Sequence, residues 1–295
     1  MPAANTILWN DLQLSVPAGW ETIVKGPLHL IFEHNLAPVL EIRWRRPGKH
    51  GSRRLTESIL KQFGEAPATH PHQGHPSVPD RVAGRYRITP LCGGGPPRVA
   101  SLLLECRQCG TAILVALHRD SPDFWIENAP LLDSLRCCPT HEQLSRWQIQ
   151  DFYFAVPHGF ELATCSFRFG VSDLRFAKKG AFLRFCRLAP ASVHLEQHGF
   201  TELFAAFCPV PLESLEVVDS CRLSYHWSTG AIERVWSRIR KKPPFGHASF
   251  SHFPDRDRIL GVMIAAYRGS EVDWAKQLEG GYGIIQETEG PGSDT

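Results

Sequence analysis

The stretch E-C-R-Q-C-G, Glu105 to Gly110, holds the sharpest chemistry in this chain. Cys106 and Cys109 are two residues apart with a glycine after them, between the apolar runs S-L-L-L and T-A-I-L-V-A-L. That is the spacing of a zinc knuckle set in a hairpin turn. A tetrahedral site needs four ligands, so the pair needs help. The strand from Thr111 to Arg119 runs away from the turn for roughly 30 Å, and a helix expected from Pro122 to about Arg136 returns roughly 22 Å. It brings Cys137 and Cys138 back to the knuckle, with His141 close behind. Cys106, Cys109, Cys137 and either Cys138 or His141 therefore make a ligand set for a structural zinc. Reduced thiols are the alternative, because adjacent cysteines chelate one metal awkwardly. Cys92 precedes the strand that enters the knuckle and belongs at the opposite end. A redox disulfide between Cys106 and Cys109 lacks a helix N-terminus to lower a thiol pKa.

Other stretches offer weaker chemistry. The three imidazoles of H-P-H-Q-G-H-P, His70 to Pro76, sit in a Pro/Gly-rich loop without a thiol or carboxylate, which reads as a solvated loop. Two stretches mix cations with tryptophan: R-W-R-R-P-G-K-H-G-S-R-R, Arg43 to Arg54, and R-V-W-S-R-I-R-K-K, Arg234 to Lys242. Arg45, Arg46, Arg53 and Arg54, with Arg238, Arg240, Lys241 and Lys242, could meet an acidic protein partner. The net charge of +2 is too small for a nucleic-acid field, so nucleic acid is the less favoured partner. None of G-x-S-x-G, G-x-x-x-x-G-K-S/T, G-x-G-x-x-G or H-E-x-x-H is present, and L-C-G-G-G-P-P lacks the lysine and helix of a phosphate cradle.

At 295 residues, 43% hydrophobic and 21% charged, the chain suits about two globular domains. No apolar run reaches the roughly 18 residues of a membrane helix. The start M-P-A-A-N-T-I-L-W-N lacks a basic segment followed by an apolar one. With nine cysteines, an odd number in a chain large enough to need no staples, a reducing cytoplasm is expected.

The elements that must position these residues occur twice. W-N-D-L-Q-L-S-V-P-A-G-W-E (Trp9 to Glu21) returns as W-Q-I-Q-D-F-Y-F-A-V-P-H-G-F-E (Trp147 to Glu161), each an alternating strand stopped by proline. L-H-L-I-F (Leu28 to Phe32) parallels L-R-F-A (Leu174 to Ala177), and P-V-L-E-I-R-W (Pro38 to Trp44) parallels A-F-L-R-F-C-R (Ala181 to Arg187). An amphipathic helix is expected at Leu55 to Phe63 and again at Phe200 to Phe207. A-L-H-R-D-S-P-D-F-W (Ala116 to Trp125) lies against A-A-Y-R-G-S-E-V-D-W (Ala265 to Trp274), where Ser121 can cap a helix and Ser270 to Asp273 form a capping box. Arg119 and Arg268, like Trp125 and Trp274, recur in both halves and suggest structural duties rather than a site.

Strands around V-P-x-G-(W/F)-E, a mid-domain helix, long strands and a closing helix resemble the Mog1/PsbP-like superfamily, with its DcrB-like bacterial members. The resemblance covers nearly the whole chain, twice, and implies a mostly non-enzymatic accessory or partner-binding protein. The expected fold is α+β: two tandem domains, each an antiparallel-rich sheet with flanking helices. They span residues 1–138 and 147–285, joined by a linker at 139–146 and followed by a disordered tail at 286–295. The expected function is a non-enzymatic cytoplasmic partner-binding or assembly-accessory protein. The alternative is an enzyme or small-ligand binder using the cleft between the domains.

Overall fold

The computed structural model describes residues 4–47, 66–67, 80–92, 100–118, 128–137, 143–208, 216–230, 234 and 242–285. Its contacts divide the chain into two units: Met1–His141 with Trp147–Gln150 and Glu287–Thr295, and Glu142–Arg146 with Asp151–Gln286. It is mostly antiparallel sheet with few helices, an α+β arrangement. Among the described residues no helix is long and apolar enough to cross a membrane.

The first unit begins with the hairpin β1 (Ala4–Trp9) and β2 (Leu12–Pro17), closed by Asn10 and Asp11 at φ 47° and 65°. Those left-handed residues match the twist of a two-residue hairpin, and Asn and Asp tolerate them better than branched side chains do. Then come β3 (Glu21–Gly26), β4 (His29–His34), β5 (Ala37–Arg45), β6 (Ala66–Pro67), α1 (Asp80–Arg85), β7 (Tyr86–Cys92), β8 (Ala100–Cys106) and β9 (Ala112–Leu117). They form a seven-stranded antiparallel sheet in the order β3-β4-β5-β9-β8-β7-β6. The central strand β9 is buried at every residue, so its sheet needs cover on both faces. One face carries Leu30, Phe32, Leu40, Ile42 and Trp44, all buried. Glu41, Arg43 and Arg45 alternate to the other. The β1–β2 hairpin buries Trp9, Leu12, Leu14 and Val16 almost completely. Helix α2 (Ala129–Ser134) packs on β2 through this same unit and buries Leu131 and Leu132. It ends two residues before the expected Arg136, which instead forms a β-bridge to Gln13.

Strand β10 (Leu144–Ile149) meets β1 at Leu8 opposite Gln148, and Trp147 lies edge-on to Trp9 at 5.2 Å. The stretch expected as a linker thus already contributes Leu144, Ser145 and Arg146 to a strand.

The second unit comprises β11 (Phe152–Pro157), β12 (Glu161–Arg168), β13 (Val171–Lys178), β14 (Ala181–Leu188), α3 (Ala191–Gln197), α4 (Phe200–Phe207), β15 (Glu216–Asp219), β16 (Arg222–Ser228), β17 (Phe245–Phe253), β18 (Arg258–Ala266), α5 (Ala275–Gly280) and β19 (Gly283–Ile284). Its seven-stranded sheet runs β12-β13-β14-β18-β17-β16-β15, strand for strand the order of the first. Helix α4 occupies the span expected from its apolar spacing, and Phe204 and Phe207 are buried against Phe250, Met263 and Cys186. On the opposite face Phe154 sits 4.5 Å from Phe185 and 5.9 Å from Phe176, while Tyr282 lies 5.2 Å from Phe185. β11 pairs with β19.

The ladders correct several sequence matches. Glu41 faces Ala116 and Arg184 faces Met263, so Ala116 corresponds to Met263 rather than Ala265. Leu30 corresponds to Leu174 through their partners Ile42 and Phe185, whereas the left-handed Asn10 and Gln150 at the hairpin turns keep Leu12 level with Phe152. Each slip is two residues, one full strand period, and leaves every side chain on its face. The expected capping box at Ser270 is absent. A 3-10 helix spans Gly269–Trp274, and its preceding residue Arg268 makes no side-chain cap. Trp274 is only half-buried and Arg268 is exposed. The helix expected at Leu55 to Phe63, the His70 to Pro76 loop, Arg119, Ser121, Trp125 and the tail at 286–295 lie outside the described residues.

Two expectations follow. A Cβ at Gly261 would stand 2.6 Å from Phe250 and 2.8 Å from the Cys186 sulfur, both core atoms. Gly261→Ala therefore destabilises by about 1–3 kcal/mol, seen as a lower urea midpoint at constant slope. Asp151 accepts from Arg187 at 2.6 Å and Arg258 at 2.7 Å. Burial opposes its ionisation, but these two guanidiniums outweigh it and hold the carboxyl below its ordinary value. Because the folded pKa is the lower one, this stability is present above about pH 4 and is lost as pH falls through the folded pKa. Asp151→Asn should lower the urea midpoint at pH 7 and flatten its fall between pH 5 and 3; an undiminished fall would exclude Asp151 as a source.

Candidate metal centre

The turn from β8 into β9 folds tightly because its backbone closes on itself. Cys106 N–H donates to Thr111 O at 2.9 Å, Gly110 N–H donates to Cys106 O at 3.0 Å, and Gly110 takes φ 71°. Glycine occupies the left-handed position without a Cβ penalty. Arg107 N–H donates to Arg85 O at 3.0 Å, which ties the turn to the end of α1.

The third thiol arrives along the segment leaving α2. Gln13 and Arg136 exchange two N–H to O bonds of 2.8 Å, so β2 fixes the residue just before Cys137. The buried Tyr86 hydroxyl donates to Leu135 O at 3.1 Å, and Arg85 donates to Asp133 O at 2.6 Å. Ser15 N–H donates to Ser134 Oγ at 2.8 Å. Four ties on one short segment leave Cys137 little freedom.

As a result the sulfurs of Cys106, Cys109 and Cys137 all lie within 4.8 Å of one another, and this cluster could hold a metal ion. Cys109 Sγ is 3.6 Å from Cys137 Sγ. A tetrahedral site with Zn–S bonds of about 2.3 Å has sulfur–sulfur edges of about 3.8 Å, so the spacing fits. Cys106 and Cys137 are 7% and 4% exposed, whereas Cys109 is half-buried. The expected fourth ligands, Cys138 and His141, lie outside the described residues. The backbone of Cys92 pairs with Ala100 at the far end of the strands from Tyr86 and Cys106, as the sequence reading placed it.

The electrostatics differ among the thiols. Burial raises Cys137 strongly, and the neighbouring sulfurs of Cys106 and Cys109 add to that. Burial also acts on Cys109, but hydrogen bonds with the Thr111 hydroxyl and backbone and with the Cys106 and Cys137 thiols outweigh it and lower the thiol to about 7. The absence of a helix N-terminus was therefore no bar to a lowered thiol pKa. Thr111, with Oγ1 3.2 Å from Cys109 Sγ, supplies what the sequence reading missed. The C-x-T spacing at Cys109 to Thr111 was the available signal.

No family model matches the chain, and no curated protein matches it. The site must be read from its own geometry.

Of the basic residues expected to meet a partner, Arg46 is engaged within its own unit, paired with Asp11 and donating to Asn10 Oδ1 at 2.9 Å. Arg45 is half-buried at the end of β5, and Lys242 is exposed. Arg53, Arg54, Arg238, Arg240 and Lys241 lie outside the described residues. A polar recess in the second unit, lined by Arg222, Ser249, Ser251, Glu279 and Tyr282, was not foreseen. Glu279 takes Arg222 at 2.5 Å and His247 at 2.6 Å. Burial opposes its charge, but the His247 hydrogen bond and its interactions with His247 and the Arg222 guanidinium hold its pKa below the usual value. A carboxylate so held is a poor proton carrier near neutral pH.

Thr111 is 3% exposed, so valine replaces it at nearly constant shape. Thr111→Val should raise the Cys109 thiol from about 7 toward the ordinary range near 8.5, read from the pH dependence of alkylation of the metal-free chain. An unshifted profile would assign the effect elsewhere.

Proposed function

We propose that this chain is a non-enzymatic, cytoplasmic accessory protein whose first unit is stapled by a structural zinc. The observation that carries the metal part is the thiol triad, three soft ligands whose sulfurs lie within 4.8 Å of one another, two of the residues buried. Cys138 or His141 would complete the set. Bound there, zinc would lock the β8–β9 turn to the exit of α2, joining two elements that are remote in sequence. The triad suits holding a metal rather than hydrolysis, because among the described residues its polar partners include Thr111 and Tyr86 and no carboxylate that could activate water is placed beside it.

The identical strand order of the two seven-stranded sheets supports a tandem duplication, and we read each copy as Mog1/PsbP-like. Duplication offers a larger composite surface for another protein. Exposed apolar side chains fit that reading: Phe169 at the β12–β13 turn is 100% exposed, and Val217 on the edge strand β15 is 69% exposed. An acidic partner would answer the basic stretches. The alternative of an enzyme or ligand binder draws on the Arg222–Glu279 recess, but the groups there already neutralise one another.

Protein purified without chelator or affinity nickel should contain stoichiometric zinc, and Cys106→Ser or Cys109→Ser should lose it. Chelation should lower the thermal midpoint by roughly 2–4 °C for each kcal/mol of binding coupled to folding. Substoichiometric zinc would sink the metal reading. A partner captured at low salt should be released when Arg45, Arg46, Arg53 and Arg54 are neutralised together; undiminished capture would refute that patch.

A further inference from the structure

We infer that Cys109 and Cys137 form an oxidation site, in which a hydroperoxide links the two sulfurs and opens the thiol triad. The release of metal in this step rests on the zinc reading above. The disulfide rests on the sulfur geometry alone.

Three features select this pair. The two sulfurs are 3.6 Å apart, so a bond of about 2.05 Å needs a closure of only about 1.5 Å. Cys109 can supply that movement, because it lies in the turn between β8 and β9 and not in either ladder. Cys106 cannot move as readily. It is the last residue of β8, paired with Tyr86, and its own backbone N–H and C=O are both bonded across the turn. Access also differs: Cys109 is a half-buried residue, while Cys106 and Cys137 are 7% and 4% exposed. A small oxidant meets Cys109 first and finds Cys137 directly behind it.

The chemistry closes without further reactants. The Cys109 thiolate attacks one oxygen of the hydroperoxide; an S–O bond forms, the O–O bond breaks, and the other oxygen leaves as hydroxide or alkoxide and takes up a proton. The Cys137 sulfur then attacks Cys109 Sγ. The S–S bond forms, the S–O bond breaks, and the hydroxyl leaves as water after protonation. The two cysteine sulfurs together lose two electrons and one hydroperoxide gains two; the Cys137 thiol proton leaves with the displaced hydroxyl as water. With two of the three sulfurs joined, the triad would lose two thiolate donors and its hold on a metal. The described residues of the second unit hold no matching thiol cluster, since its corresponding turn is Pro254–Asp257. The response would belong to the first unit.

The test uses the full chain purified with its metal. Zinc is measured, hydrogen peroxide is added in small excess, and release is followed with a colorimetric chelator while disulfides are mapped by mass spectrometry without reduction. The expected result is a Cys109–Cys137 crosslinked peptide, at least tenfold above the untreated sample, appearing in step with zinc release. The same crosslink should persist in Cys106→Ser. A Cys106–Cys109 crosslink, or Cys109 driven to sulfinic acid without a crosslink, would overturn the assignment. Because the wild-type map decides this alone, a Cys106→Ser chain that fails to fold does not remove the test. Zinc missing before peroxide overturns the metal reading and leaves the crosslink to be judged on the same sample.

Discussion

The central strands of each seven-stranded sheet are buried on both faces, and this constraint governs the rest of the molecule. β9 is buried along its whole length and β18 along all but its first residue. Such strands expose no polar face to water, so each face must be covered by something else in the chain. In the second unit α3 and α4 cover one face, around Phe204, Phe207 and Phe250. The Phe154, Phe176, Phe185 and Tyr282 rings fill the other. In the first unit the β1–β2 hairpin and α2 supply Trp9, Leu12, Leu14, Leu131 and Leu132. Cover of that kind is remote in sequence from the strands it protects, and it needs fastening.

The two units fasten it differently at the same place. Counting along the ladders, Gly110 at φ 71° corresponds to Asp257 at φ 52°, both left-handed and both closing the turn between the last two long strands. In the first unit this turn carries Cys109 to Cys137 at the exit of α2. In the second, Asp257 accepts from Ser192 N–H at 2.6 Å and Ser192 Oγ at 3.0 Å, which anchors the start of α3. One backbone shape therefore serves a thiol centre in one unit and a carboxylate cap in the other. Neighbouring charges are exchanged too. Arg184 pairs with Asp173 at 2.8 Å, while the corresponding positions hold Glu41 and His29, 2.9 Å apart. Each half-buried charge keeps an opposite or polar partner, as desolvation requires, although the carboxylate has moved to the neighbouring strand and burial lowers the pKa of the imidazole beside it.

Within the thiol centre, burial and hydrogen bonding pull against each other. Cys137 lies deepest and burial dominates it. Cys109 stands at the edge, where the Thr111 hydroxyl and backbone favour its thiolate. A metal site needs thiolates, and the one most readily formed is also the one that solvent can reach.

The sequence by itself determined the alternation of the strands, the helix Phe200 to Phe207, the knuckle turn at Cys106 to Cys109 and the return of Cys137 beside it. These follow from local periodicity and from the rise per residue of strand and helix, which depend on nothing remote. It also carried two runs of similar alternating stretches in the same order, but not their register. Alternation repeats every two residues, so matching Leu28 to Leu174 or Ala116 to Ala265 preserved every face while missing the true partner by one period. Only the tertiary structure decided that register, because ladder hydrogen bonds join residues far apart in the chain. It alone showed that Thr111 tunes Cys109, that Tyr86 and Gln13 fix the approach to Cys137, and that Glu279 gathers Arg222 and His247. Those are meetings of side chains from different strands, and no spacing along the chain records them.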